Sequence, residues 1–271
     1  MLKQVFIDCM PGPTNHFGGH SFGNVASMKS KGSIINPKKA ALEWLEKVKL
    51  IHNLGANQCV FPPHRRPLLK KKQINLNSLS SAFIWMANCG HFLPAIDSSE
   101  GVHQFIPANL KFSNHRNKEY RFHSYWMNKL TTNQNIMFHK ITNEMDEGAA
   151  NSIRLWNKRN EPGLNIYVYG DQNKLYPSRQ KKISINEIVL KLNPHHWLTL
   201  KQSDIAIDSG IFHNDVISFG LKNMFFCHEN AFKNQHESIR QLENRFREVT
   251  NIKLKVIQVS KDQLSLNECV K

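Results

Sequence analysis

The segment Gly210-Ile211-Phe212-His213-Asn214-Asp215 sets three polar side chains directly before an apolar run. A histidine there can take or give a proton near neutral pH. Asp215, two residues on, shares a face with His213 if the stretch is extended. A polar loop closed by a local hydrogen bond is the competing reading. Asp146-Glu147-Gly148-Ala149-Ala150-Asn151 places two acids at an expected helix entrance. Acids in a first turn complement the helix dipole, so simple capping competes with a carboxylate offered to a histidine or a cationic substrate. His115-Arg116 and Arg179 could bind carboxylates, because a guanidinium presents a bidentate fork. Asn88, late in an apolar helix, needs a hydrogen-bond partner. The set describes proton transfer beside a site for a small charged molecule.

Other chemistries find less support. His195 and His196 are adjacent and point apart in regular structure, and His16 and His20 sit in a loop with no acidic third ligand at useful spacing. No CxxC pair suggests structural zinc, and no GxGxxG opens a helix after a strand. Neither a metal nor a cofactor is expected. The five cysteines, Cys9, Cys59, Cys89, Cys227 and Cys269, are scattered and odd in number, which argues against a disulfide scaffold and for a reducing cytoplasm. The formal charge of +15 raises a basic nucleic-acid-binding module as an alternative. Yet Arg65-Arg66 and Lys70-Lys71-Lys72 form no long arm and do not interleave with aromatics. No apolar run is long enough for a membrane span, and the first residues read as a strand and not a signal peptide.

Strands and helices alternate around these residues. Val5–Ile7 reads as a strand, followed by a Gly/Pro-rich loop over 11–27, a length that is often functional. Asn36-Pro37 caps and starts a helix stopped at Gly55. A strand is expected at Cys59–Phe61 and a helix over Leu79–Cys89. Further strands are expected at Phe105–Ile106, Ile136–Phe138 and Ile166–Tyr169, then a helix over Ser184–Leu192. Val216–Phe219 and Met224–Cys227 read as adjacent strands across Gly-Leu-Lys-Asn, followed by a helix over Ala231–Arg247 and a strand over Leu254–Val259. Ser260 reads as the cap of a last short helix. The pattern is α/β, with 40% hydrophobic residues to build a core, and its repeat period is not visible in the residues.

The segments GGHSFGNVAS (18–27), PPHRRP (62–67), WMANC (85–89), NLKFSNHR (109–116), DEGAAN (146–151), VYG (168–170), YPSRQ (176–180) and GIFHNDVI (210–217), taken in order, resemble the N-succinylarginine dihydrolases. The resemblance spans nearly the whole chain as a single catalytic-type domain. It implies the α/β-propeller of guanidine-modifying enzymes, the pentein or amidinotransferase-like fold, with repeated ββαβ units in fivefold pseudosymmetry. It implies hydrolysis of N2-succinyl-L-arginine by two waters to N2-succinyl-L-ornithine, two ammonia and carbon dioxide, in arginine catabolism by the succinyltransferase route. No cofactor or metal is implied. A cysteine thiolate would attack the guanidinium carbon, with an acid–base group serving leaving nitrogen and water.

By matching motif, Glu147 and His213 fall at the catalytic acid and histidine. Gly18, Gly19, His20, Ser21, Phe22, Gly23, Asn24, Val25, Ala26 and Ser27 form a substrate-binding segment. Asn88, His115, Arg116, Arg179 and Asp215 fall at substrate-contacting positions. Charge suits His115, Arg116 and Arg179 to the carboxylate end and Asp215 to the guanidinium end. The chain departs from the family pattern in Asp8-Cys9-Met10-Pro11-Gly12-Pro13, in His20, and in lacking the GGGPAC-like segment that carries the family nucleophile. None of the five cysteines has that segment's context. The expectation is therefore an N-terminal portion of a propeller, C-terminally truncated and inactive alone. It would form a homodimer or associate with a missing C-terminal fragment. A non-enzymatic remnant that binds arginine derivatives is the alternative.

Overall fold

The computed structural model describes residues 5–9, 22–34, 36–61, 89–112, 117, 120–132, 134–171 and 174–270. One unit recurs in it. β3 (Gly90–Leu93) and β4 (His103–Pro107) pair antiparallel; α3 (Tyr120–Leu130) crosses over; β5 (Ile136–Phe138) returns parallel to β4. β6 (Ser152–Leu155), β7 (Leu164–Tyr169), α4 (Lys182–Leu192) and β8 (Trp197–Lys201) repeat the plan. After a short helix, α5 (Asp204–Asp208), so do β9 (Ser218–Leu221), β10 (Met224–His228), α6 (Gln235–Thr250) and β11 (Lys255–Val259). A parallel pair, β1 (Phe6–Cys9) and β2 (Gln58–Phe61), joined through α2 (Pro37–Asn53), matches the second half of such a unit. The parallel return requires a long crossover, which is why each unit spends a helix there.

The second and third units meet through their first strands. A Cβ on Gly220 of β9 would lie 2.5 Å from Leu155 Cδ2 and 2.9 Å from Ile153 Cγ2 of β6, so a larger residue there would push these side chains aside. The two strands correspond residue by residue: Ser-Ile-Arg-Leu in β6 and Ser-Phe-Gly-Leu in β9. Ile153 pairs with Ile166 as Phe219 pairs with Phe226. Leu155, Ile166, Leu200, Phe225, Leu242 and Phe246 belong to the largest buried cluster, shared by these units. Tyr167 and Ile185, Ile188 and Leu192 of α4 meet Leu93 and Ile106 of the first unit in another.

The first and second units are also clamped by a buried charge. Asp97 Oδ2 accepts from Arg154 Nε at 2.5 Å and Asn165 Nδ2 at 3.1 Å; Oδ1 accepts from Arg154 Nη2 at 2.9 Å and the Gly163 N–H at 2.8 Å.

Several elements depart from expectation. Val25–Ser27, expected in the loop, begin α1 (Val25–Lys29). The strand expected at Val216 starts at Ser218, because Asn214–Val216 form a 3-10 turn first. The helix expected from Ala231 starts at Gln235. Residues 231–233 run beside the end of β8 instead, where the Ala231 carbonyl accepts from Ser203 N–H and Lys233 N–H donates to the Lys201 carbonyl. The last helix, α7 (Leu266–Cys269), is capped by Ser265 with Glu268 in a reciprocal capping box, and Ser260 instead closes a turn with Gln263. The helix expected over Leu79–Cys89 lies, up to residue 88, outside the described residues, and Cys89 itself lies in a bend. No helix among the described residues is long and apolar enough to cross a membrane.

Candidate active site

Glu147 and His213 occupy corresponding places in successive units. Each directly precedes a 3-10 turn, Gly148–Asn151 or Asn214–Val216, that leads into the first strand of its unit. The pseudosymmetry thus brings an acid and an imidazole together from segments far apart in sequence. His213 Nε2 lies 2.9 Å from Glu147 Oε2, and both side chains are buried. An ionised carboxylate only accepts hydrogen bonds, so Nε2 carries the proton in this pair. The main-chain N–H of Asn214 donates to Asn151 Oδ1 at 2.9 Å, which ties the two turns together.

The Glu147 turn is held by polar groups from several elements. Glu147 N–H donates to Gln180 Oε1 at 3.0 Å, and Asp146 N–H donates to Asn109 Oδ1 at 3.1 Å. Gly148 sits at φ +73°, where a side chain would be strained. Leu110, buried next to Asn109, holds φ +49°. Its N–H reaches the Asp146 carbonyl at 2.9 Å. A left-handed leucine costs about 1 kcal/mol, and it lies where the turn must be gripped.

Arg179 is buried under this pair. Its Nη1 lies 3.6 Å from Glu147 Oε2, and Nη2 donates to the Phe22 carbonyl at 2.9 Å. The guanidinium carbon lies 3.8 Å from the Phe112 ring centre and 5.1 Å from that of Phe212. Charge suggested a fork for carboxylates; in the structure the fork meets the Glu147 carboxylate and the Phe22 carbonyl. Phe22 and Gly23 in turn pack on Tyr176, with the Phe22 and Tyr176 rings 5.2 Å apart and edge-on. Val25 fills the space over Gly210, where a Cβ would meet it at 2.2 Å. The described part of residues 18–27 is thereby packed near the Glu147–His213 pair.

Asp215 lies one residue past Asn214 and stays exposed to solvent. The surrounding protein nevertheless desolvates it and raises its pKa above the ordinary carboxylate value, against an opposing pull from His213. The extended geometry needed for a shared face with His213 is interrupted by the 3-10 turn. Of the other expected site residues, Gly18, Gly19, His20, Ser21, Asn88, His115 and Arg116 lie outside the described residues. Phe22, Gly23, Asn24, Val25 and Ala26 are described, and of Ser27 only the backbone, within α1. Asp146 and Asn214 were singled out from sequence without a role, and Asn109, Asn151 and Gln180 were not. All five stand in the motif segments, beside residues that were chosen.

Burial works against thiolate formation at three of the described cysteines. Burial pushes Cys89 up to about 12 and Cys227 up to about 11, and raises Cys269 as well. The thiolate is the reactive form. At neutral pH Cys89 and Cys227 are therefore expected to react with iodoacetamide at least tenfold more slowly than free cysteine, as read by peptide mass mapping over time. Rapid labelling of either would show an activated thiolate. No group of three His, Cys, Asp or Glu among the described residues could hold a metal ion.

Known proteins place this geometry. The chain matches the succinylarginine dihydrolase family model over residues 2–73 and 68–271. It is 34% identical to N-succinylarginine dihydrolase of Legionella pneumophila (strain Corby), over 99% of this chain and 68% of that one. The Pseudoalteromonas translucida enzyme of the same name is 30% identical over 98% and 67%. Among solved structures, a dimethylarginine dimethylaminohydrolase adduct with S-methyl-L-thiocitrulline superposes with a TM-score of 0.58 at 7% identity, covering 97% of this chain and 78% of that one. A cyanobacterial arginine dihydrolase gives 0.55 at 14% identity, over 94% and 29%. The repeated units are therefore those of an α/β-propeller of the pentein, or amidinotransferase-like, fold, and the chain belongs to the succinylarginine dihydrolase family.

Proposed function

We propose that this chain binds N2-succinyl-L-arginine and supplies the acid–base and guanidinium-binding side of its hydrolysis. The products are N2-succinyl-L-ornithine, ammonia and carbon dioxide, and the activity is that of a hydrolase on the C–N bonds of a linear amidine. The observation that carries this reading is the buried Glu147–His213 pair with solvent-reachable Asp215 beside it. Glu147 fixes the imidazole tautomer and steadies its charge, leaving Nδ1 to exchange the proton. Asp215 holds the guanidinium by charge-assisted hydrogen bonds. The segment over 18–27, with Asn88, His115 and Arg116, meets the rest of the substrate. Arg179 serves it through the Glu147 carboxylate and Phe22 carbonyl that it grips.

The raised thiol pKa values favour a second feature of the reading: the 271 residues bind without turnover. The thiolate comes from a polypeptide carrying further ββαβ units. Ile153 and Leu155 pack against the third unit; their counterparts there, Phe219 and Leu221, stand 56% and 39% exposed. Such an apolar face suits another unit of the same kind.

Calorimetric titration tests the binding claim. N2-succinyl-L-arginine should bind at least tenfold more tightly than N2-succinyl-L-ornithine, which lacks the amidine carbon, since one charge-assisted contact is worth about 1.5–3 kcal/mol. Equal affinities, or none, would overturn the assignment. The pH dependence follows from Asp215. The guanidinium stays charged throughout, so binding needs the ionised carboxylate. Affinity is constant above the Asp215 pKa and falls about tenfold per unit below it. Because that pKa is raised, the fall begins at higher pH than for an ordinary aspartate. Asp215→Asn should bind more weakly and lose this dependence; an unchanged profile would remove Asp215 from the guanidinium end.

A further inference from the structure

His91 lies outside the groups assigned to the reaction, yet its ring touches both ends of the turn that carries Glu147. From β3 of the first unit, Nε2 lies 2.8 Å from Asp146 Oδ1, before the Gly148–Asn151 turn, and Nδ1 lies 2.9 Å from Ser152 Oγ, just after it. His91 and Asp146 are both buried. A carboxylate only accepts, so Nε2–H donates to Asp146, and in the neutral ring Nδ1 accepts from the Ser152 hydroxyl. The same Asp146 oxygen accepts from Gly148 N–H at 2.9 Å and Gln180 Nε2 at 3.3 Å. Gln180 passes the constraint on, since its Oε1 holds the Glu147 N–H. At the other end of the turn, Asn151 holds the Asn214 N–H, next to His213.

We propose that His91 is the positioning residue of the Glu147–His213 pair: its ring clips the Gly148–Asn151 turn at both ends and so fixes acid and imidazole in register across two propeller units. Both members of the pair hang on this one turn, Glu147 as its leading residue and His213 through Asn151. A displacement of 1 Å is enough to break a hydrogen bond of 2.9 Å. The clip also explains why a Ser-His-Asp arrangement exists here with no nucleophilic role. The serine hydroxyl donates to the ring and anchors it to β6.

The test reads the hydrogen-bonded ring proton of His213 by NMR in the 271-residue chain, assigned by its disappearance in His213→Gln. It needs no ligand. The inference rests on reading Glu147 and His213 as the acid–base pair, but failure of that reading would show as absent ligand binding, a separate result. In His91→Gln the proton should exchange with water at least tenfold faster than in the parent, or disappear. In Ser152→Ala, which removes one anchor and leaves the ring in place, the rate should rise by a smaller factor with the melting temperature and circular dichroism preserved. His195→Gln, on the surface, should leave it unchanged. Parent-like exchange in a folded His91→Gln would overturn the proposal. If His91→Gln does not fold, Ser152→Ala decides, and parent-like exchange there would overturn it equally.

Discussion

Arg179→Met is expected to destabilise the chain by about 3–5 kcal/mol, the usual cost of stripping one partner from a buried ion pair, and to weaken N2-succinyl-L-arginine binding at least tenfold. Methionine fills much of the volume, so the loss is not a packing defect. The Glu147 carboxylate, 3.6 Å from Nη1, would keep His213 but lose its buried cation. The Phe22 carbonyl would lose its 2.9 Å donor, releasing the start of the segment that packs on Tyr176 and Gly210. The gap between the Phe112 and Phe212 rings would lose its guanidinium. Lysine keeps the charge but cannot donate in two directions from one plane, so Arg179→Lys should recover only part of the loss. Urea unfolding with calorimetry checks both claims. A change below about 1 kcal/mol, typical of exposed pairs, would show that the guanidinium is solvated.

The second large effect lies away from the site. Asp97→Ala should cost about 3–5 kcal/mol, because it removes the buried carboxylate from Arg154 and the Gly163 N–H, and leaves Arg154 and Asn165 only long contacts to the Glu161 and His196 carbonyls. The clamp matters for function because the first unit brings Asn109 and His91, which grip the turn of the second. Asp97→Asn keeps the shape and loses the charge, and should fall between parent and alanine. Parent-like urea midpoints for both variants would show that the packing of α4 against the first unit suffices by itself.

The propeller was legible through the ordered motif segments and not through the pattern of strands and helices. Glu147, His213 and Asp215 stood in recognisable segments, and the strands at Ile136–Phe138 and Met224–Cys227 followed from apolar runs between turn residues. The repeat was illegible because the units share a path and almost no side chains; β6 and β9 align over four residues only once their pairing is known. The protein partners of Arg179 were not legible for a physical reason. Charge says what a guanidinium can bind, while its partners are set by burial, here two rings and a carboxylate far from it in sequence. The long helix α6 began late because Asn234 adopts a left-handed conformation after a stretch bound to β8, a tertiary pairing invisible to local propensity.

The central claim is that these 271 residues hold the binding and proton-transfer groups of a guanidine hydrolase and give no turnover by themselves. It is tested most directly by incubating the purified chain with N2-succinyl-L-arginine while following ammonia and N2-succinyl-L-ornithine. The assay is repeated with the portion of the Legionella pneumophila relative that this chain leaves unmatched. The account predicts saturable binding and no product from the chain alone, with ammonia appearing once the second polypeptide is added. Steady ammonia release by the chain alone would contradict it, and would place the nucleophile among its own cysteines.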